Sequence, residues 1–348
     1  MNQMTSRIKS LVPVNCLFLR IPVMLYDNHN RPIQYLRLAV TDRCNLRCQY
    51  CMPKEGITYL PKESLMTFEE MERLVSLMAE MGVTKVRVTG GEPFLRKGVI
   101  TLLERIRKTN GIQELHLTTN GSLAVDYLDE LKKIQIDSIN LSLDTLDRDR
   151  FHRITRRDEF DKTWNAFLAF RQAGIPIKIN CVVMEGVNTD DIVPMVELTK
   201  EKDLSVRFIE EMPFNGTGQR LPGIAWNHKR ILEHIQERFP DLEPVPVSAS
   251  STAKLYKVAG YGGAFGIIAA YSRTFCGTCN RIRVTAQGLL KTCLYDNGVL
   301  NIRDLMRSGL SDEQLRIALL DAFRSRPKDG FEAEAARPVS ASMSTIGG

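Results

Sequence analysis

From residue 35 onward, short runs rich in β-branched residues alternate with amphipathic helical stretches. That alternation commits the chain to a largely parallel sheet, because parallel strands need long crossovers and helices supply them. The strands are expected at 35–40, 85–89, 114–118, 138–143, 178–183 and 205–209. The first helix opens with Thr67 and Glu70 in capping-box spacing, repeats Phe68, Met71, Leu74, Val75 and Met78 at helical period, and is closed by Gly82. Further helices are expected at 98–108, 124–133, 163–173 and 190–202. Six such units are too few for a closed eight-stranded barrel, so the fold class is α/β with an open or partial barrel, its active site at the strand C-terminal ends.

With 348 residues, 43% of them hydrophobic, the chain can bury one large domain and a smaller appendage. Its surplus of six positive charges is too small and dispersed to indicate nucleic-acid binding. Eight cysteines would suggest disulfides in a secreted protein, but the apolar stretch 11–25 is broken by Pro13, Asn15, Arg20 and Pro22, and no cleavage site follows it. No run approaches the roughly 18 apolar residues of a membrane helix. A reducing cytoplasm is the expected setting, and clustered cysteines there are more often metal ligands than crosslinks.

Directly after the first strand, Cys44, Cys48 and Cys51 stand in C-x3-C-x2-C spacing on a loop. A four-iron cube takes four ligands, so three thiolates leave one iron open to a small molecule. Zinc is the competing reading, but it takes a fourth protein ligand and no His or Cys lies nearby to supply it. The second strand ends in Thr89-Gly-Gly-Glu-Pro, whose glycines permit close backbone approach and whose exposed backbone and Glu92 can hydrogen-bond an ammonium group.

This triad, with Tyr50 before its last cysteine, resembles the signature of the radical S-adenosylmethionine (radical SAM) superfamily. The resemblance implies a partial (βα)6 barrel and a first 4Fe-4S cluster whose open iron is chelated by the methionyl amino and carboxylate groups. One electron then cleaves the sulfonium to a 5′-deoxyadenosyl radical. It further implies S-adenosyl-L-methionine contacts from Tyr50, Gly91, Ser142 and Met212. Read alone, Ser142 is a sheet-end hydroxyl and Met212 a core thioether.

A second triad, Cys276, Cys279 and Cys293, stands in C-x2-C-x13-C spacing, again with no fourth ligand following it. A structural zinc site is the sober alternative, with Cys181 or His152 as the residues to complete it, although Cys181 sits inside an expected strand as a buried thiol would. The surroundings, Cys276-Gly-Thr-Cys-Asn-Arg-Ile-Arg and Lys291-Thr-Cys-Leu, resemble the molybdenum cofactor biosynthesis protein A family, the GTP 3′,8-cyclases, as do Met24 and the terminal Gly347-Gly348. That resemblance implies a second 4Fe-4S cluster on this triad that binds guanine, hydrogen abstraction from C3′ of the ribose, and attack of the carbon radical on C8. It implies a C-terminal iron-sulfur region covering the barrel mouth. The product would pass to the next molybdopterin-pathway enzyme, and the electron would come from an external donor. Two features depart from the family pattern: residues 1–23 precede its usual start, and Ala39 stands where Ser is common, packed against the sheet.

A triphosphate needs convergent cations. Arg37, Lys85, Arg87, Lys178 and Arg207 lie on expected strands, and alternation points Lys85 and Arg87 the same way, into a barrel that should otherwise be apolar. The bland alternative is that they salt-bridge to Glu92, Asp144 or Glu210. The resemblance implies GTP contacts from Arg37, Arg87, Thr118, Lys178, Arg281, Ile282 and Arg283, and a tail whose Gly347 and Gly348 enter the barrel. The tail carries too little apolar surface to anchor itself.

The expected organisation is a disordered extension or misassigned start over 1–23, the barrel over 24–222, a second-cluster domain over 223–330 and a mobile tail over 331–348. No membrane or nucleic-acid partner is expected, and the chain is expected to be a monomer or homodimer. Two rivals remain. One is another radical SAM enzyme with an auxiliary cluster, such as a peptide-modifying maturase. The other is a non-catalytic iron-sulfur or zinc-binding protein, which has no need of the Gly-Gly-Glu-Pro turn.

Overall fold

The computed structural model describes residues 24–215, 224–336 and 341–347. Residues 1–23 and Gly348 lie outside them. The six expected strands are present as β1 (Tyr35–Ala39), β2 (Lys85–Thr89), β3 (Glu114–Thr119), β4 (Ser138–Ser142), β5 (Ile177–Val183) and β6 (Ser205–Glu210). Between them lie α1 (Phe68–Glu80), α2 (Val99–Lys108), α3 (Leu128–Ile134), α4 (Arg148–Thr155), α5 (Phe160–Gln172) and α6 (Ile192–Glu197). The Thr67–Glu70 capping box forms with both reciprocal hydrogen bonds, and Gly82 adopts φ +105° just beyond α1.

Three helices differ from expectation. The 124–133 stretch begins as a 3-10 turn before α3, and Pro194 sits in a stretch where α6 is flanked by two 3-10 turns. Helix α4 carries no apolar periodicity that marks it in the sequence, being charge-rich and burying only Phe151, Ile154 and Thr155; the Asp147 side chain caps it by accepting from the Arg150 N–H.

Beyond β6, the chain adds α7 (His228–Arg238), β7 (Leu242–Val245), β8 (Ala253–Val258), β9 (Ala264–Ile268), β10 (Arg281–Val284), β11 (Leu289–Lys291) and β12 (Leu300–Asn301). Four helices follow: α8 (Ile302–Arg307), α9 (Asp312–Arg324), α10 (Gly330–Ala336) and α11 (Met343–Ile346). Among the described residues, all twelve strands share one sheet, ordered β12-β11-β10-β1-β2-β3-β4-β5-β6-β9-β8-β7. Strand β10 pairs parallel with β1, and β9 pairs parallel with β6. The C-terminal region thus adds a parallel strand to each side of the six, where sequence periodicity had suggested that strand-helix alternation simply stopped.

Because β9 and β10 lie on opposite sides of the β1–β6 block, segment 269–280 has to cross the gap between them. It carries Cys276 and Cys279 across that opening.

The expected mobile tail is also corrected. Ile346 is 2% exposed and packs with Phe214, Tyr295 and Ala333, with Met343 against them. One isoleucine anchors the segment because the fold provides an apolar site for it, which local composition cannot reveal. Among the described residues no helix is long and apolar enough to cross a membrane.

Candidate active site

Strand alternation sends Leu36, Leu38, Val86, Val88, Leu115, Leu117, Ile139 and Leu141 into the hydrophobic core. The opposite parity faces the barrel interior, which is polar rather than apolar as expected. Tyr35, Arg37, Lys85, Arg87, Thr118, Asn140, Ser142, Lys178, Asn180 and Arg207 line a cavity of about 710 Å³, a size that suits a nucleotide-scale ligand. It runs the length of the strands. Cys44, Gly90, Gly91 and Asn120 bound it past the strand C-terminal ends, and Gln34 and Glu114 bound it at the N-terminal ends. All six triad cysteines line this one cavity, as do Tyr50, Met212, Arg281 and Arg283.

The first triad sits on a loop tied down by backbone. Arg47 N donates to Thr155 O (2.8 Å) and Gln49 N to Ile154 O (3.0 Å), so the overlooked α4 braces the cysteine loop. Tyr50 donates its hydroxyl to Asp144 (2.9 Å). A Cβ on Gly90 would fall 2.7 Å from Thr41 O, and one on Gly91 would fall 2.2 Å from Arg43 O. The glycines therefore let the β2 loop nest against the cysteine loop itself. Glu92 is fully buried and already accepts from Thr119 Oγ1, Asn120 N and Phe94 N. These contacts join the loops after β2 and β3. Burial pushes Cys44 up to about 11, Cys51 up to about 12 and Cys48 well above the ordinary thiol value. Such thiols stay protonated on their own and ionise on a cationic metal, which fits an iron-sulfur ligand set.

At the second triad, burial would raise Cys279, but Arg281 and Arg326 bring it down to about 6. Burial raises Cys276, and pushes Cys293 up to about 11. Neither proposed completing residue lines the cavity: Cys181 is buried against Asp144 O, and His152 is exposed on α4.

The cations are not neutralised by the expected carboxylates. Lys85 pairs with Glu114 (2.6 Å), and Arg87 donates to Tyr35 Oη (2.5 Å) and Leu117 O (3.0 Å). Asp144 is held by Tyr50 and Val182 N, and Glu210 by His228 and Ser272. Among the described residues, Thr118 Oγ1, Asn140 Oδ1, Asn180 Oδ1, Arg207 Nε and Arg281 Nη2 are buried without partners. Burial and mutual repulsion lower Arg37 to about 9, Lys178 to about 8, and Arg207 and Arg283 to about 10. Arg87 and Arg37 outweigh burial at Tyr35 and bring its phenol down to about 7. Buried positive charge of this kind is costly unless a partner or a ligand offsets it.

Ile282 is the exception among the site residues. Its side chain is fully buried in the hydrophobic core, between the inward-facing Arg281 and Arg283, and it does not line the cavity. In the tail, Gly347 O accepts from Arg283 Nη1 (3.1 Å), and Ser342 donates its hydroxyl to Cys51 O (2.6 Å). Residues overlooked in the sequence are Tyr35, Asn140, Asn180 and the buried Lys291, which bounds the cavity beside Cys293. Strand parity was the signal that could have found them, since Tyr35 shares it with Arg37 on β1, Asn140 with Ser142 on β4 and Asn180 with Lys178 on β5.

Residues 38–199 match the Radical SAM superfamily, and residues 204–331 match the Molybdenum Cofactor Synthesis C family. The GTP 3′,8-cyclase of Thermodesulfovibrio yellowstonii is 38% identical over 331 residues, covering 92% of this chain and 99% of the relative. Molybdenum cofactor biosynthesis protein 1 of Bos taurus is 42% identical over 292 residues, covering 84% of this chain but 46% of the bovine protein, so the chain spans about half the length of that relative. In fold, the crystal structure of Streptococcus suis SuiB bound to S-adenosylmethionine is similar at a TM-score of 0.60 and 17% identity, covering 89% of this chain and 69% of SuiB. The chain belongs to the radical SAM superfamily, in the family that includes the GTP 3′,8-cyclases and molybdenum cofactor biosynthesis protein 1.

Proposed function

We propose that this chain is a GTP 3′,8-cyclase that converts GTP to (8S)-3′,8-cyclo-7,8-dihydroguanosine 5′-triphosphate, the first step of molybdenum cofactor biosynthesis. Membership of the superfamily implies S-adenosylmethionine and an iron-sulfur cluster. The finer reading is two 4Fe-4S clusters, one on Cys44, Cys48 and Cys51 and one on Cys276, Cys279 and Cys293. The observation that carries it is that both triads open into one cavity whose walls between them hold buried cations and unpartnered polar atoms.

When bound and reduced, the first cluster supplies the electron that cleaves S-adenosylmethionine. Tyr50, Gly91, Ser142 and Met212, which border the first triad's side of the cavity, hold that cofactor. Arg37, Arg87, Lys178, Arg207 and Lys85 hold the triphosphate, with Thr118 Oγ1 free to donate. Arg281 and Arg283 orient the ribose and base toward the second triad. The tail acts through Gly347, whose carbonyl fixes Arg283. Electrons come from an external donor in a reducing cytoplasm, and the product goes to the next enzyme of the pathway.

The test is anaerobic reconstitution and reduction, followed by incubation with S-adenosylmethionine and each of the four nucleoside triphosphates. The expected result is 5′-deoxyadenosine and a modified nucleotide from GTP alone. Cofactor cleavage with no nucleotide product from any of the four would overturn the assignment.

A further inference from the structure

The second triad is held from behind by two arginines that do not line the main cavity. Arg326, 3% exposed, follows α9 and directs its guanidinium at the segments that carry the triad and at Asp27. Its Nε donates to Thr292 O (2.9 Å), next to Cys293. Its Nη1 donates to Cys279 O (2.9 Å) and to Asp27 Oδ2 (3.2 Å). Its Nη2 donates to Arg281 O (3.0 Å) and lies 3.1 Å from Cys279 Sγ. Arg31 completes the clasp: its Nε donates to Asp27 (2.6 Å) and its Nη1 to Cys276 O (3.1 Å).

Two things follow from this geometry. One planar fork ties segment 279–281 to residue 292, which are far apart in sequence, so the spacing of Cys279 and Cys293 depends on it. Two buried guanidiniums also share the single carboxylate of Asp27, which leaves an excess positive charge against a ligand sulfur. Net charge and hydrogen bonds to sulfur both set iron-sulfur potentials.

We propose that Arg326 is a positioning residue that fixes the second triad and raises the reduction potential of the cluster it carries, through the N–H···S contact to Cys279 and the positive charge of its guanidinium. The inference rests on the two-cluster reading above. Added negative charge on reduction is stabilised by the nearby guanidinium, so removing that charge makes reduction harder.

The experiment uses the full chain with Cys44, Cys48 and Cys51 replaced by Ala, reconstituted anaerobically with iron and sulfide. In this parent, an EPR-monitored redox titration reads the second cluster alone. Arg326→Gln, Arg326→Lys and the doubly neutralised Asp27→Asn/Arg326→Gln are compared, each with iron content and a thermal transition. Arg326→Gln is expected to lower the reduced-to-oxidised ratio at least tenfold at a fixed potential, a negative shift of about 59 mV for a one-electron couple. Arg326→Lys, which keeps the charge but not the fork, is expected to lie between the two. A parent that binds no cluster refutes the two-cluster reading and the inference with it. A parent whose cluster keeps its potential in Arg326→Gln overturns the inference alone. Loss of the thermal transition in all three variants also overturns it, since Arg326 would then serve the fold at large.

Discussion

Replacing Gly347 by Ala tests whether the tail is part of the active site. Gly347 caps α11 at φ +83°, and a Cβ there would lie 2.9 Å from the Ala39 Cβ and 3.3 Å from Thr89 Cγ2. Ala39 is 1% exposed on β1 and has nowhere to retreat. A left-handed conformation costs a non-glycine residue about 1–2 kcal/mol, and overpacking costs about 1–3 kcal/mol. Together these disfavour the docked tail by about 2–5 kcal/mol, or from about thirty-fold to several thousand-fold in population. The barrel core does not depend on this contact, so the main thermal transition should stay near that of the unmodified chain. Hydrogen exchange on residues 341–347 should rise and nucleotide product should fall by at least tenfold, while S-adenosylmethionine cleavage persists. Ala39→Gly removes the closest obstacle and should restore part of the product rate in the double variant. Unchanged exchange and full product formation in Gly347→Ala would show that the docked tail has no part in turnover.

Replacing the three cysteines of either triad by Ala should remove about half the iron, by one cluster per triad; loss of the first triad should abolish cofactor cleavage and loss of the second should leave it uncoupled. Iron and activity that survive replacement of Cys276, Cys279 and Cys293 would refute the division. ATP should be turned over about 10⁴-fold less efficiently than GTP, because buried groups shaped for guanine are left unpaired; comparable kcat/KM values would sink base readout. Lys178 is lowered to about 8 in the fold from 10.5, chiefly by burial and then by Arg207 and Arg87, so between those values the unfolded chain binds more protons and stability without nucleotide should rise with pH. Lys178→Met should flatten that rise in pH-dependent thermal melts and weaken nucleotide binding; an unchanged slope would contradict the buried-cation picture.

Much of this was legible because it rests on local rules. The six barrel strands declared themselves by β-branched runs, the first helix by its Thr67–Glu70 capping box, and both triads by cysteine spacing. What escaped was non-local. No periodicity announces that β9 and β10 extend opposite sides of the same sheet, since pairing partners are chosen by the assembled fold. The burial of Glu92 was not legible either, because it is set by three donors from its own and a neighbouring loop. Ile282 lies between two site arginines, and strand parity alone turns it away. Arg326 carries no motif at all; its importance lies in the carbonyls of Cys279, Arg281 and Thr292, which only folding brings around it.

The central claim is that one cavity delivers a radical from the first triad's side to a nucleotide held toward the second. The most direct test is single-turnover reaction of the anaerobically reconstituted, reduced chain with S-adenosylmethionine and GTP deuterated at C3′, with mass analysis of 5′-deoxyadenosine. The account requires one deuterium in 5′-deoxyadenosine for each cyclised nucleotide formed. Unlabelled 5′-deoxyadenosine alongside cyclised product would contradict it.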